Sequence, residues 1–148
     1  MCIEYKQIDD LILGKIVEIY GEWVKKYIFI RDDTFAFVAM DGDMPSGFIC
    51  VTPRALMYPL EHLKDAYIEV IEVHENYKGQ GIGRHLVICG EEWARKAGFK
   101  QIRTHHNNEA LNAIKLSNSL NYGLCPHEYE VDGKKYTGYW VVKVLATN

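Results

Sequence analysis

The sequence predicts a mixed α/β (α+β) fold, read as a single domain over residues 1–148, on three observations. Ala66 to Val73 (AYIEVIEV) is rich in β-formers. A glycine-rich stretch follows it and opens a segment from about Ile82 to Ala97 with helical periodicity. The chain then alternates strand and helix signals and closes on a hairpin around Asp132-Gly133.

In order, Asp9-Asp10 predict the cap of a first helix with Leu11, Ile12, Ile16, Ile19 and Tyr20 at helical spacing. Trp23, Val24 and Tyr27 suggest a short second helix after Gly21. Thr34 to Met40 and Phe48 to Val51 read as a hairpin across the turn-like DGDMPSG, and a loop holding Pro53 and Pro59 leads to the strand at Ala66. Within the central helix, Ile82, Leu86, Cys89, Trp93 and Ala97 predict one buried stripe, with Gly98 as its stop. Phe99 to Thr104 reads as a strand, about 109–120 as a helix, and Glu128–Val131 with Tyr136–Leu145 as the last hairpin.

Composition narrows the function classes. Apolar residues at 48% and charged residues at 25% describe a globular chain that can bury a core without metal or disulfide support. The formal charge of −3 argues against nucleic acid as the main partner. No apolar run is long enough for a membrane span, and the start MCIEYKQIDD lacks a signal peptide's basic and apolar regions, so the expected location is cytoplasmic. Cys2, Cys50, Cys89 and Cys125 have no metal-binding spacing, and the expectation is buried thiols and no metal. His105-His106 are strand neighbours that point to opposite faces, which argues against a shared metal.

The stretch Val73 to Arg84 (VHENYKGQGIGR) carries Gly79, Gly81 and Gly83 at the mouth of the helix. Glycines there let an anion approach free backbone N–H groups, although a tight turn without a ligand explains a lone triplet equally well. A Walker loop requires Lys-Ser/Thr where Gly83 is followed by Arg84-His85. The dinucleotide fingerprint requires GxGxxG and a later acidic residue, where this chain has GxGxG and then Phe99-Lys100-Gln101.

A third pattern fits. Lys78-Gly79-Gln80-Gly81-Ile82-Gly83, after a strand containing Ile68, Ile71 and Val73, resembles the acetyl-CoA signature of the GCN5-related N-acetyltransferase (GNAT) family. Lysine stands where that family usually has arginine or glutamine. Thr104 to Tyr122 (THHNNEALNAIKLSNSLNY) is similar to the family's next motif, with Ser117 where tyrosine or asparagine is commoner and Asn121-Tyr122 where Gly-Phe is usual. The resemblance implies a central mixed, mostly antiparallel twisted sheet flanked by helices, with acetyl-CoA at a splayed strand pair. It further implies acetyl transfer to a primary amine of a small molecule or peptide by direct attack in a ternary complex.

The resemblance assigns pyrophosphate contacts to Gly79, Gln80, Gly81, Ile82, Gly83 and Arg84, with Lys78 as a further charge partner. A backbone N–H on the strand, near Ile71 to Val73, would meet the thioester oxygen, and Asn112 or the Asn107-Asn108 pair the pantetheine amides, although Asn108 is the expected cap of the following helix. Glu69 and Glu72 are the candidate bases, with a slight preference for Glu69; their separation of three places them on opposite strand faces, and His74 is a third candidate. Ser117 would donate to the leaving sulfur, with Tyr122 and Tyr139 as substitutes. Trp23, Tyr27, Tyr58, His62, Tyr139 and Trp140 are candidates for an acceptor pocket. Acetyl-CoA and an amine are the expected partners, a homodimer is compatible with the family, and the alternatives are a catalytically weak acyl-CoA sensor or a nucleotide-binding module.

Overall fold

The computed structural model describes residues 2–145. Among these, seven strands form one sheet in the order β1-β2-β3-β4-β5-β7-β6. They are β1 (Ile3–Gln7), β2 (Phe35–Asp41), β3 (Met44–Ala55), β4 (Lys64–Val73), β5 (Gln101–Asn107), β6 (Gly123–Val131) and β7 (Lys134–Val144). Helices α1 (Asp10–Tyr20), α2 (Ile82–Lys96) and α3 (Leu111–Ser119) cover its faces. Only β4 and β5 run parallel, so the sheet is mixed and mostly antiparallel, as the sequence predicts.

Each face has its own core. Asp9 caps α1 by accepting the Ile12 N–H at 2.8 Å, and Ile12 and Ile16 then pack with Val38, Phe48 and Cys50. Leu11 and Ile19 remain exposed, so the buried face of α1 is narrower than its apolar content. On the opposite face α2 buries Ile82, Leu86, Gly90 and Ala94 against Ile49, Val51 and Ile68. The expected stripe through Cys89, Trp93 and Ala97 is therefore rotated by one position. Gly90 explains the rotation, because a Cβ there would lie 3.2 Å from Val51 Cγ2, so only a small residue lets the helix sit this close.

Several boundaries differ from expectation for local reasons. Strand β1, absent from the sequence reading, is short and carries exposed charged residues, and its pairing to β2 defines it. β3 continues through Pro53 to Ala55, into the predicted loop, and begins at Met44 beside a register shift at Ala39/Met40. β6 begins at Gly123 and includes Pro126, which an edge strand accommodates. α3 starts at Leu111 with Ala110 as its cap, so Asn108 is not the cap. Asn107 Oδ1 instead accepts the Glu109 N–H at 3.0 Å. Burial pushes the Cys50 thiol up to about 11, whereas Cys2 and Cys125 are exposed, against the expectation of buried thiols.

The parallel pairing of β4 with β5 covers only Ala66↔Ile102 and Tyr67↔Arg103. Asp65, fully buried on β4, latches this junction: its Oδ2 accepts from Arg103 Nε and from Gln101 Nε2 on β5. Thr104 Oγ1 adds a hydrogen bond to the Ile68 carbonyl at 2.9 Å. Beyond it the strands diverge. Removing one partner of a buried ion pair strands the other charge, so Asp65→Ala should cost about 3–5 kcal/mol in urea unfolding. The apolar double replacement Asp65→Leu with Arg103→Met should recover most of that loss.

Candidate functional site

Where β4 leaves β5, its edge is open over Ile68 to Val73, and the N-terminal ends of α2 and α3 flank it. The result is a groove of about 580 Å³ whose walls include Ile71, Val73, Gly81, Arg84, Asn112 and Leu116. That volume suits a cofactor-sized ligand. The groove thus collects Ile71, Glu72, Val73, Lys78, Gly79, Gly81, Ile82, Gly83, Arg84 and Asn112 from the residues predicted to form the site. Gln80 is exposed on the same loop but is not part of the groove wall.

The loop is built by local rules. A short 3₁₀ turn, Glu75–Tyr77, is capped by His74 Nδ1, which accepts the Asn76 N–H at 3.2 Å. Tyr77 anchors the turn through its hydroxyl to Asp41 Oδ2 at 2.7 Å. Gly79 and Gly81 adopt φ of +78° and +83°, and Gly81 caps α2 with no side chain over the helix N-terminus. The N–H groups of the first helical turn therefore open into the groove with the positive end of the helix dipole. Gly83 does a different job: a Cβ there would sit 3.4 Å from Leu116 Cδ2 and 3.5 Å from Val73 Cγ2, where α2 meets α3 and β4. Lys78 pairs with Glu75 at 2.9 Å and Arg84 reaches Ser119 Oγ at 3.3 Å, both exposed contacts that hold the side chains weakly.

The two carboxylates of β4 share one face, which corrects the expectation of opposite faces. A register shift pairs Val51 with Ile68 but Cys50 with Val70, so Glu69 is an extra residue in the strand. This bulge cancels the parity of a three-residue separation. Glu69 is tied down by Arg54 through both oxygens, at 2.9 and 2.7 Å, and by Thr52 Oγ1 at 2.6 Å. Glu72, opposite Phe48 on the α1 side, also borders the groove. Burial raises the Glu72 pKa, against the lowering effects of Lys78 and the Val73 N–H. The His74 N–H bonds to the Ser46 carbonyl of β3, and strand alternation then turns the Ile71 and Val73 N–H groups toward the open edge.

His105 and His106 point to opposite faces of β5, as predicted. His106 Nε2 lies 3.2 Å from Ser117 Oγ on the α2–α3 side. His105 Nε2 lies 3.2 Å from His127 Nδ1 on the other side, among Tyr129 and Trp140. Burial lowers both imidazole pKa values, so both rings are neutral at pH 7. As sequence neighbours the two histidines raise only the question of a shared metal; the helix pattern of α3, which turns Ser117 inward, is the signal that reaches His106.

The remaining candidates disperse. The Tyr122 hydroxyl donates to buried Glu91 Oε2 at 3.0 Å, in a network with Lys143 and Arg95. Tyr139 packs against the α2-side core, whereas its neighbour Trp140 joins the histidine cluster. Trp23 donates to the Tyr20 carbonyl and contacts Tyr27 edge-on, while Tyr58 and His62 lie exposed on the β3–β4 loop. These six candidate pocket residues do not form one wall.

Comparison with known proteins places this geometry. None of the curated proteins matches the chain in sequence. The structure is similar to Arabidopsis thaliana NAA60 in complex with a bisubstrate analogue, at 17% identity, 97% of this chain and 98% of that one covered, and a TM-score of 0.78. It is also similar to yncA, a putative acetyltransferase from Salmonella typhimurium with its cofactor acetyl-CoA, at 15% identity, coverages of 100% and 96%, and a TM-score of 0.77. The ribosomal-protein-S18-alanine N-acetyltransferase from Escherichia coli matches at 14% identity, coverages of 99% and 96%, and a TM-score of 0.76. In sequence, residues 4–121 match the acetyltransferase (GNAT) family. With the open β4 edge, the glycine turn and the divergent strands in place, the chain belongs to the GNAT family of acetyltransferases.

Proposed function

We propose that this chain transfers the acetyl group of acetyl-CoA to a primary amine of a small molecule or peptide, by direct attack in a ternary complex. The observation that carries the reading is the continuity of one groove from the uncapped α2 N-terminus along the unpaired β4 edge to the strand divergence. A pyrophosphate at the helix N-terminus meets backbone N–H donors, with Lys78 and Arg84 able to release their weak partners and add charge. A pantetheine arm pairs with β4 as an added strand, and Asn112 at the start of α3 reaches its amides.

The amine nitrogen attacks the thioester carbon, and negative charge grows on the oxygen. One of the Ile71 and Val73 N–H groups, about 6.6 Å apart along the open edge, supplies a donor to that oxygen. The C–S bond then breaks, its electron pair leaves with sulfur, and the nitrogen, positively charged after attack, gives its extra proton to solvent to leave the neutral amide. Before attack, an ammonium must give up a proton to free its lone pair. Glu72 is the better acceptor of the two carboxylates: it borders the groove and burial has raised its pKa, whereas both oxygens of Glu69 are committed to Arg54 and Thr52. Acetyl-CoA acts as co-substrate throughout. A sensor that binds CoA without turnover is the second reading, favoured by Ser117 in a position where its short side chain makes a weak acid.

Release of free thiol from acetyl-CoA with a panel of amines tests the activity, and tight CoA binding with no turnover on any amine selects the sensor. Gly81→Glu should weaken acetyl-CoA binding at least about 100-fold in calorimetry, because a carboxylate would stand at the phosphate site. Gly81→Asn, which tolerates a positive φ, should retain binding and separate charge from fold. Glu72→Gln should lower kcat by about 100-fold. In the wild type, activity should fall as pH drops through a Glu72 pKa above the ordinary 4.5, because protonation removes the base. An unchanged profile in Glu72→Gln would remove Glu72 from the role of base.

A further inference from the structure

Beneath the strand divergence lies a cavity of about 10 Å³, room for a single water. Its walls are almost wholly apolar, and Ile71, Ala113 and Leu116 belong both to it and to the groove, so the two spaces adjoin. Three side chains bring polar atoms to it besides Tyr122. Thr104 is committed to the Ile68 carbonyl, and the Tyr122 hydroxyl to Glu91. What remains is the His106–Ser117 pair, 3.2 Å apart. A serine inside a helix commonly bonds back to a carbonyl one turn earlier, but Ser117 Oγ has His106 as its hydrogen-bond partner among the described residues.

Among the described residues, no charged side chain lines this cavity. α2 contributes Val87, and α3 contributes Ala113, Leu116 and Leu120. Burial and the neighbouring His105 keep His106 neutral, so its ring has one N–H to give.

We propose that His106 and Ser117 form a two-link hydrogen-bond chain to the sulfur of CoA, with the imidazole Nε2–H donating to Oγ and the hydroxyl donating to sulfur. This inference rests on the acetyl-transfer reading. As the C–S bond breaks, its electron pair stays on sulfur, and the chain stabilises the thiolate until solvent protonates it. No proton leaves either residue. Alone, a serine hydroxyl is a weak donor; a polarised one is stronger, because the N–H behind it draws electron density from Oγ. His106 is thus a positioning residue for Ser117, and the Nε2–H tautomer is the one that works.

Titration of the thiolate by ultraviolet absorbance in CoA bound to the protein tests this without knowledge of the acceptor. The bound thiol should ionise at lower pH than free CoA. Ser117→Ala should raise its pKa by about one unit, the size of one hydrogen bond to a charged group. His106→Phe should raise it by about half as much, and His106→Gln, which places an amide N–H near Nε2, should restore the wild-type value. Desulfo-CoA should bind equally well to all four proteins. A bound-thiol pKa unmoved by Ser117→Ala and His106→Phe would overturn the proposal, and so would a loss of desulfo-CoA affinity in those variants, which would make the pair structural. A wild-type protein that binds neither CoA nor desulfo-CoA would instead overturn the acetyl-transfer reading itself.

Discussion

The site depends on the latch between β4 and β5. Two residue pairs of parallel ladder are too few to hold adjacent strands together, and the buried Asp65–Arg103 contact supplies the rest. Buried ion pairs contribute little net stability compared with apolar packing, so their value lies in fixing geometry. Here the geometry fixed is a divergence. The strands are held at Tyr67 and Arg103, bridged once more by Thr104, and then free. The unpaired β4 edge, along which the groove runs, lies downstream of that point.

Around this opening, glycine is used for two unlike purposes. At Gly79 and Gly81 the backbone adopts positive φ, and nothing would crowd a Cβ. At Gly83 and Gly90 the backbone is ordinary; a Cβ at Gly90 would crowd Val51, and one at Gly83 would be in contact with Leu116 and Val73, where α2 lies close to α3 and β4. The first pair shapes the turn that exposes the helix N-terminus; the second sets how near that terminus comes to the β4 edge. The entropy that glycine costs is offset in one case by turn geometry and in the other by packing.

The bulge at Glu69 gives the sheet its chemical asymmetry. Without it, one β4 carboxylate would face each helical layer. With it, both lie on the α1 side, one neutralised by Arg54 and the other left beside the groove. The α2–α3 side is correspondingly uncharged at the cavity, where neutral His106 and Ser117 supply the polarity. Glu72 and the His106–Ser117 pair thus lie on opposite sides of the sheet.

By itself the sequence determined the local elements whose signals are short-range: the Asp9 cap, the glycine turn, the α2 span, and the Asp132-Gly133 hairpin. Its glycine spacing also carried the resemblance to the GNAT family, which the match over residues 4–121 shows. Side-chain parity along β5 was equally legible, since alternation in a regular strand needs no tertiary information. Tertiary structure alone decided the parity along β4, because a bulge arises from pairing with β3 and leaves no mark in EVIEV. It decided the edge strands as well: β1 and the first half of β6 have weak patterns and exist through their partners. The meeting of His106 with Ser117, the commitment of Glu69 to Arg54, and the dispersal of the aromatic candidates are contacts between distant segments. Residues remote in the chain meet only where packing brings their elements together.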